Sequence, residues 1–412
     1  GELVEARRHT PSFSAEEVQA LIDANADIVI VDARRFDEYQ TMSIPGSASV
    51  PGAELVLRVP ALAPDPRTQV IVNCAGRTRS IIGTQSLINA GLPNPVAALR
   101  NGTIGWTLAG QTLAHEQTRR FPTVGAEGVQ AAAKAARQVA DRAGVKRATW
   151  ADVQSWQAQQ GRTTYFFDVR DLAEYEAGHL PGFRPVAGGQ LVQETEMVAP
   201  VRGARIVLAD DLGARADMTG SWLAQMNWDV FVFDDAAHTP PYAETGPWRT
   251  PFPPTPATPL LSPAELAARL NIPGEVAVID LSLHVNYRRG HIPGAWYAVR
   301  SQIDLALREI PPARHYVLTC GSSRLARHAH AGIQSLLDRP VSVLDGGNAA
   351  WQAAGLALES GASRLASPPI DRYRRPYEGT DNAREAMQGY LDWEFGLVEQ
   401  LGRDGTHGFF VI

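Results

Sequence analysis

The chain has 412 residues, a net charge of -6 at neutral pH and 44% apolar residues, a size that predicts about two to four domains with ordinary buried cores. The acidic balance argues against nucleic acid as a partner, and only two cysteines are present, which excludes a disulfide framework and fits a reducing compartment. No apolar run has the length of a membrane span, so we expect a cytoplasmic protein without a membrane partner.

Three similar stretches follow one another along the chain, each alternating short apolar strands with helical segments. Each has an aspartate at the end of its first long strand. At the end of the second long strand stands a cysteine in two copies and an aspartate in the other. The separation between those two positions is 42, 42 and 40 residues, counted from Asp32 to Cys74, from Asp168 to Asp210 and from Asp280 to Cys320. Chance does not keep that spacing three times, so we interpret the pattern as an internal repeat.

Each copy covers about 100 residues, and its alternation of strand and helix predicts an α/β fold with a central parallel sheet flanked by helices. In such sheets, ligands bind outside the carboxyl ends of the strands. We divide the chain into three copies, at 11–119 with an active-type loop, at 147–238 with a degenerate loop, and at 259–362. A linker helix at 120–146 and a proline-rich linker at 239–258 connect them. Residues 1–10 are the tail of a preceding copy, and 363–412 are a C-terminal tail with a helix.

Cys74 follows a short β-branched run and precedes a helical stretch that stops at Gly91, so it lies in a tight loop between a strand and a helix N-terminus. The backbone N–H groups of such a loop and the positive end of the helix favour an anion. We therefore expect the pKa of this thiol to be lowered, with help from two arginines. A buried structural cysteine is the alternative. The predicted site residues are the nucleophile Cys74 and its loop, Ala75, Gly76, Arg77, Thr78, Arg79 and Ser80.

Four motifs in this order resemble the rhodanese family of sulfurtransferases. They are Asp-Ala-Arg with Glu-Tyr at 32–39, the Cys74 loop, Gly-His-Ile-Pro-Gly-Ala at 290–295 and Gly-Gly with Ala-Trp at 346–351. The resemblance implies three tandem rhodanese-like domains and an enzyme without cofactor or metal. It implies that Cys74 takes the outer sulfur of a small anionic donor such as thiosulfate, holds it as a persulfide and passes it to cyanide or a thiol. Arg77 and Arg79 would then receive the leaving sulfite.

The second copy has Asp210 and Asp211 where the first has its cysteine. A carboxylate cannot form a persulfide, and a second one beside it reverses the local field, so we predict that this copy is inert. The neighbouring Arg215 is expected to pair with an aspartate.

The third copy keeps a cysteine after its strand but has Leu325 where Arg79 stands in the first copy. Our hypothesis is that this cysteine accepts sulfur and turns over thiosulfate more slowly than Cys74, the alternative being a vestigial thiol in a structural copy. Its predicted site residues are Cys320, Gly321, Ser322, Ser323 and Arg324.

Two other functions remain open at this point. One is a phosphatase or arsenate reductase on the same fold, a relative that resembles His-Cys followed by five residues and an arginine. Here Asn73 precedes the cysteine, and only four residues separate Cys74 from Arg79. The other is a non-catalytic persulfide-binding or interaction scaffold. The sequence does not indicate the oligomeric state.

Several further features are interpreted as structural. Aspartate and arginine after the first long strand, Asp32 with Arg34 and Asp168 with Arg170, predict pairs that hold loops. His179 and His291, each before Pro-Gly, are predicted to make structural hydrogen bonds, because no other His or Cys stands at metal-ligand spacing.

The connecting segments have simpler interpretations. The alanine-rich helix around 131–141 is expected to pack between domains, and the proline-rich stretch is expected to be an extended spacer. The tail is expected to form one helix over about 382–401 and to dock its apolar end on a domain. Residues 1–8 resemble the end of a copy, so we expect that another copy preceded this chain.

Overall fold

The structure is a computed structural model that describes residues 1–235, 242 and 244–412. The start of the predicted proline-rich linker, including Pro240 and Pro241, lies outside these residues. The chain forms two compact units, Gly1–Arg249 with Arg375–Ile412, and Thr250–Arg374. The strands of the described residues form three parallel five-stranded sheets, two in the first unit and one in the second, which confirms the α/β fold class.

The first sheet lies in the first copy and has the strand order β1-β5-β4-β2-β3. Its central strand β4 is buried because Val70, Ile71 and Val72 have no exposed surface. The strands are β1 (Ser12–Phe13), β2 (Ile28–Asp32), β3 (Ala48–Ser49), β4 (Gln69–Asn73) and β5 (Val96–Leu99). The helices are α1 (Glu2–Arg8), α2 (Ala15–Asp23), α3 (Phe36–Thr41), α4 (Leu55–Leu62), α5 (Thr78–Asn89) and α6 (Gly102–Leu108), with a 3-10 turn at Gly52–Glu54.

The second sheet repeats this order as β6-β10-β9-β7-β8. Its strands are β6 (Lys146–Ala148), β7 (Thr164–Asp168), β8 (Arg184–Pro185), β9 (Arg205–Ala209) and β10 (Asp229–Phe233). Its helices are α7 (Ala126–Arg142), α8 (Trp150–Ala158), α9 (Leu172–Ala177), α10 (Gly188–Gln193), α11 (Thr195–Val198) and α12 (Ala214–Gln225).

The third sheet, in the second unit, has the same order again, β11-β15-β14-β12-β13. Its strands are β11 (Leu260–Leu261), β12 (Val276–Asp280), β13 (Trp296–Tyr297), β14 (His315–Thr319) and β15 (Val341–Leu344). Its helices are α13 (Pro263–Leu270), α14 (His284–Arg289), α15 (Ile303–Glu309), α16 (Arg324–Gln334) and α17 (Gly347–Ala353), with a 3-10 turn at Arg300–Gln302.

Helix α7 joins the two copies of the first unit, as its small side chains predict. Ala132 and Ala136 are buried in one apolar core with Val56 of the first copy and Met218 of the second. Because alanine permits close helix approach, this face can lie between both copies without leaving a gap. The expectation that the helix packs between domains is confirmed.

The tail forms two helices, α18 (Arg384–Phe395) and α19 (Leu397–Asp404), so the prediction of one continuous helix is wrong. The break lies at Gly396, which caps the first helix. The apolar end docks on the first unit, as expected: the N–H groups of Phe410 and Ile412 donate to the carbonyl and the side chain of Gln225, at 3.0 and 3.1 Å. Among the described residues, no helix is long and apolar enough to span a bilayer.

Candidate active site

Cys74 lies at the carboxyl end of β4, in the loop between that strand and a helix, as predicted, and α5 begins four residues after the cysteine. Helix α6 anchors the loop from behind, because the N–H groups of Thr103 and Ile104 donate to the carbonyls of Cys74 and Ala75 at 2.9 and 3.0 Å. This approach requires glycine at position 102, which has φ +53°. A Cβ there would lie only 2.3 Å from the Cys74 carbonyl oxygen.

Both arginines of the loop are already paired with carboxylates. Arg79 donates from Nη1 and Nη2 to the two oxygens of Glu38, at 2.8 Å each. Burial alone would raise the pKa of Glu38, but the hydrogen bonds and charge of Arg79 outweigh it and lower the pKa to about 2. Arg77 pairs with Glu5 and stacks over the Phe395 ring at 4.0 Å. Both guanidinium groups that are predicted to receive the leaving sulfite therefore already have a carboxylate partner, and Arg79 uses both of its terminal nitrogens for Glu38.

The thiol of Cys74 is 1% exposed, and this burial raises its pKa. The charge of Arg79 and hydrogen bonds from Ser80 act in the opposite direction but do not reverse the shift, and Glu394 adds to it. The expectation of a lowered pKa is thus wrong. The pKa is raised because another segment covers the loop and excludes the water that would otherwise hydrate the thiolate.

That cover is the C-terminal segment. A cavity of about 200 Å³ lies over the loop, and helix α18 forms its far wall. A Cβ on Gly76 would lie 2.8 Å from Oε2 of Glu394 and 3.1 Å from the Tyr390 ring, so the helix is in close contact with the loop. Besides the predicted loop residues 74–79, the lining comprises Gln193, Glu194, Glu196, Arg375, Tyr377, Tyr390, Trp393, Glu394 and Leu397.

Tyr390 and Glu394 of this cover are not among the residues predicted for the site. Tyr390 and Glu394 stand four residues apart and so lie on the same face of α18. That pattern indicates a polar functional face, although nothing in it says which surface the helix covers.

The equivalent loop of the second copy holds a full negative charge. Oxygens of the buried Asp210 carboxylate accept N–H bonds from Leu212, Arg215 and Ala216 at 3.1, 2.8 and 3.3 Å. Burial would raise the pKa of Asp210, but the charge of Arg215 and these N–H groups lower it. The Arg215 guanidinium also contacts Asp211, Glu54 and Glu174 at 2.6, 2.9 and 2.7 Å. The predicted pairing of this arginine with an aspartate is confirmed.

The third copy anchors its loop in the same way as the first. Asn348 and Ala349 donate to the carbonyls of Cys320 and Gly321 at 2.9 and 3.0 Å. Gly347, at φ +63°, allows the approach, since a Cβ there would lie 2.2 Å from the Cys320 oxygen. Cys320 is 5% exposed.

The charged part of this third loop differs from that of the first. Arg324 stacks over the Phe252 ring at 3.8 Å. Asn286 and Leu325 stand at the places of Glu38 and Arg79, so the third copy lacks both members of that ion pair. Of the other predicted site residues, Ser322 is exposed and Ser323 is buried at φ +64°.

The predicted structural contacts are present. Arg34 donates to both oxygens of Asp32 at 2.9 and 2.8 Å, and Arg170 binds Asp168 in the same manner. The ring nitrogens Nδ1 of His179 and His291 each lie 2.8 Å from a tyrosine carbonyl. In the part of the chain that the structure describes, no three His, Cys, Asp or Glu side chains are placed to hold a metal ion.

The chain is similar to several known proteins. The chain is 66% identical to a thiosulfate sulfurtransferase from Pseudomonas aeruginosa of known structure, with a TM-score of 0.97, over 100% of this chain and 78% of that one. A 3-mercaptopyruvate sulfotransferase from Escherichia coli is 19% identical over 56% of this chain and 100% of that one, with a TM-score of 0.26. Among curated proteins, an HTH-type transcriptional regulator from Mycobacterium tuberculosis is 33% identical over 108 residues. This match covers 24% of the chain and only 44% of that regulator's length.

The family model described as a rhodanese-like domain matches the chain three times, at residues 14–109, 149–236 and 262–354. These stretches contain four of the five strands of each sheet and the three loops compared above, and together they make up well over half of the chain. The chain therefore belongs to the rhodanese family.

Proposed function

We propose that this chain is a thiosulfate sulfurtransferase in which Cys74 carries the transferred sulfur as a persulfide. The activity named for the 66% identical protein from Pseudomonas aeruginosa supports the reaction class. The loop around Cys74 supports the choice of carrier, because it combines a thiol, a helix N-terminus and an adjoining cavity of about 200 Å³.

The observation that carries the proposal is the Asp210 carboxylate of the second copy. Its loop holds a negative charge with backbone N–H groups, including that of Ala216, six residues later. Ser80 stands six residues after Cys74, and its backbone N–H and side chain act to lower the pKa of the thiol. The same kind of N–H group therefore faces the sulfur in the first copy, where it would stabilise an anion on Cys74.

The reaction follows in two displacements. The Cys74 thiolate attacks the outer sulfur of thiosulfate, a new S–S bond of about 2.05 Å forms towards the cavity, and sulfite leaves with the electron pair of the broken bond. Cyanide or a thiol then attacks the outer sulfur of the persulfide and restores the Cys74 thiolate. Arg77 can assist the donor, because its Nε is buried and has no hydrogen-bond partner among the described residues.

Two alternatives are separated by turnover. A phosphatase must accept a tetrahedral oxyanion inside its loop, yet only four residues separate Cys74 from Arg79, and Arg79 is held by Glu38. We expect thiocyanate from thiosulfate and cyanide and no release of phenol from an aryl phosphate. The opposite result would reverse the assignment, and absence of both activities would favour a non-catalytic persulfide-binding scaffold.

Both cysteines are free thiols, which fits a reducing compartment, and we propose a cytoplasmic enzyme with a small anionic donor and a cyanide or thiol acceptor. In this organisation the copy at 11–119 performs the transfer, the copy at 147–238 is inert, and the copy at 259–362 is a slower acceptor at Cys320.

A further inference from the structure

Glu394 is the feature of the Cys74 cavity that the transfer described above does not use. Its side chain comes from α18, about 320 residues further along the chain, and lines the cavity together with Cys74. It is only 2% exposed, and its Oε2 oxygen has no hydrogen-bond partner among the described residues. A buried carboxyl oxygen without a partner is costly, so it indicates a place where a ligand or a proton completes the site.

The groups around Glu394 shift its pKa in opposite directions. Burial and the charge of Glu2 raise its pKa to about 7, although a hydrogen bond with Tyr390, the charge of Arg77 and the amino group at Gly1 act to lower it. Cys74 faces the same carboxyl, and the two groups interact electrostatically. The carboxyl can therefore gain and lose a proton near neutral pH.

The Cys74 thiol needs such a partner. It is buried and its pKa is raised, so little thiolate is present before the donor arrives. No histidine is among the residues that line the cavity in the described part of the chain. Of the other two lining carboxylates, Glu196 lies on α11, and Glu194, between α10 and α11, is already paired with Arg375 at 2.6 Å.

We infer that Glu394 is the proton acceptor of the Cys74 thiol during sulfur transfer, and that the C-terminal helix is thereby part of the active site. This inference rests on the proposed function. It places the acid–base group of the reaction on a segment outside the three domains that match the family.

One proton passes between Cys74 and Glu394 during the cycle, and no other acid or base is needed. When the donor binds, the thiol proton moves to the Glu394 carboxylate, the sulfur attacks thiosulfate, and the products are the persulfide anion, sulfite and the carboxylic acid. The total charge is -3 before and after this step. When cyanide removes the outer sulfur, the Cys74 thiolate takes the proton back from the carboxylic acid, and thiocyanate leaves. The total charge is -2 before and after that step.

The test is a single-turnover measurement in the full chain. Wild type, Glu394→Gln and Glu385→Gln are mixed with thiosulfate at a series of pH values, and the gain of one sulfur atom on the Cys74 peptide is followed by mass spectrometry. Glu385 is the matched control, because it is exposed on the same helix and loses the same charge. We expect loading of the wild type and of the control to rise with pH through about 7. We expect Glu394→Gln to load about 100-fold more slowly at neutral pH and to recover only at higher pH, where the thiol ionises without help.

A second readout separates a proton acceptor from a structural or repelling group. Iodoacetamide also reacts with the thiolate, so without its proton acceptor Cys74 should be alkylated more slowly at neutral pH in Glu394→Gln and should recover at the same higher pH as sulfur loading. Slower loading and slower alkylation that both recover at higher pH support the inference, whereas slower loading with unimpaired alkylation overturns it, because the thiolate then forms without Glu394. A wild-type pH profile in Glu394→Gln, or faster loading than wild type, overturns it. If the wild type itself gains no sulfur on Cys74 at any pH, the proposed function fails.

Discussion

Glu38 and Arg79 form a two-point ion pair that joins helix α3 to the Cys74 loop, with both N···O distances at 2.8 Å. The second copy retains this relationship in Glu174 and Arg215, at 2.7 Å, although its cysteine is replaced. The third copy keeps its cysteine and has neither partner. Arg79 is thus a positioning residue that fixes the start of α5, and its charge acts on the sulfur from a fixed place.

Removing Glu38 should leave a buried guanidinium without its partner. We expect Glu38→Ala to lower the free energy of unfolding by about 3–5 kcal/mol and to reduce sulfur transfer, because the loop loses its anchor. Urea denaturation and thiocyanate formation measure the two effects. Asp37→Ala is the control, since that neighbouring carboxylate is exposed and its loss should change stability by less than about 1 kcal/mol. Equal stability of the two variants would contradict the role given to Glu38.

The same ion pair predicts how the free energy of unfolding changes with pH in acid. The pKa of Glu38 is about 2 in the folded chain and about 4.3 in an unfolded one, so its stabilisation is present above about pH 4.3 and is lost as the pH falls towards 2. We expect the unfolding free energy of the wild type to fall more steeply over this interval than that of Glu38→Gln. Parallel curves for the two proteins would show that Glu38 does not titrate with folding.

Local patterns were sufficient for the fold and for the position of the cysteine. The spacing from Asp32 to Cys74 recurs in the other copies, and a β-branched run before a helical stretch places the thiol at a strand end. The pKa of that thiol could not be predicted in the same way. Its sign depends on burial beneath Tyr390 and Glu394, which are more than 300 residues away in sequence, and helix periodicity shows which face is polar without showing what it covers.

Cys74→Ser tests the carrier directly. We expect nearly all thiosulfate-to-cyanide sulfur transfer to disappear while the chain stays folded, because serine matches the shape of cysteine but cannot form a persulfide. Turnover and circular dichroism of the purified variant check the two halves of this expectation. Cys320→Ser is the control and should retain most activity. Near wild-type turnover in Cys74→Ser would move the main site elsewhere.

Asp210→Cys, introduced into Cys74→Ser, asks whether the second copy lacks only its nucleophile. We expect little recovery of activity, because Arg215 would still be surrounded by Asp211, Glu54 and Glu174, and this acidic group repels a dianionic donor. Thiocyanate formation is compared with that of Asp210→Ser in the same background, which has the same loss of charge and no thiol. Rapid turnover in the cysteine variant alone would mean that the rest of the loop is intact.

Cys320 should accept sulfur more slowly than Cys74. Its loop keeps the helix start and the anchoring N–H groups, but Leu325 replaces the paired arginine, and Arg324 is stacked over Phe252. We expect its loading with thiosulfate to be at least about tenfold slower, a barrier difference of about 1.4 kcal/mol. Both cysteines are read in one experiment by peptide mapping after timed exposure, and Cys74→Ser reports Cys320 alone. If Cys320 neither gains sulfur nor reacts with iodoacetamide while Cys74 does both, the third copy is structural.

The anchoring of the Cys74 loop by α6 can be tested with two glycines that share a backbone conformation. Gly102 and Gly91 both have positive φ, +53° and +78°, so alanine costs about 1–2 kcal/mol of backbone strain at either place. Only at Gly102 would the new Cβ meet the loop, 2.3 Å from the Cys74 carbonyl, whereas nothing lies within 4 Å at Gly91. We therefore expect Gly91→Ala to be slightly less stable with normal turnover, and Gly102→Ala to lose about tenfold or more in kcat/KM, because the sulfur shifts relative to its N–H donors. Measuring kcat/KM and the unfolding midpoint for both variants separates strain from misplacement. Equal turnover in the two variants would show that the loop keeps its geometry without α6.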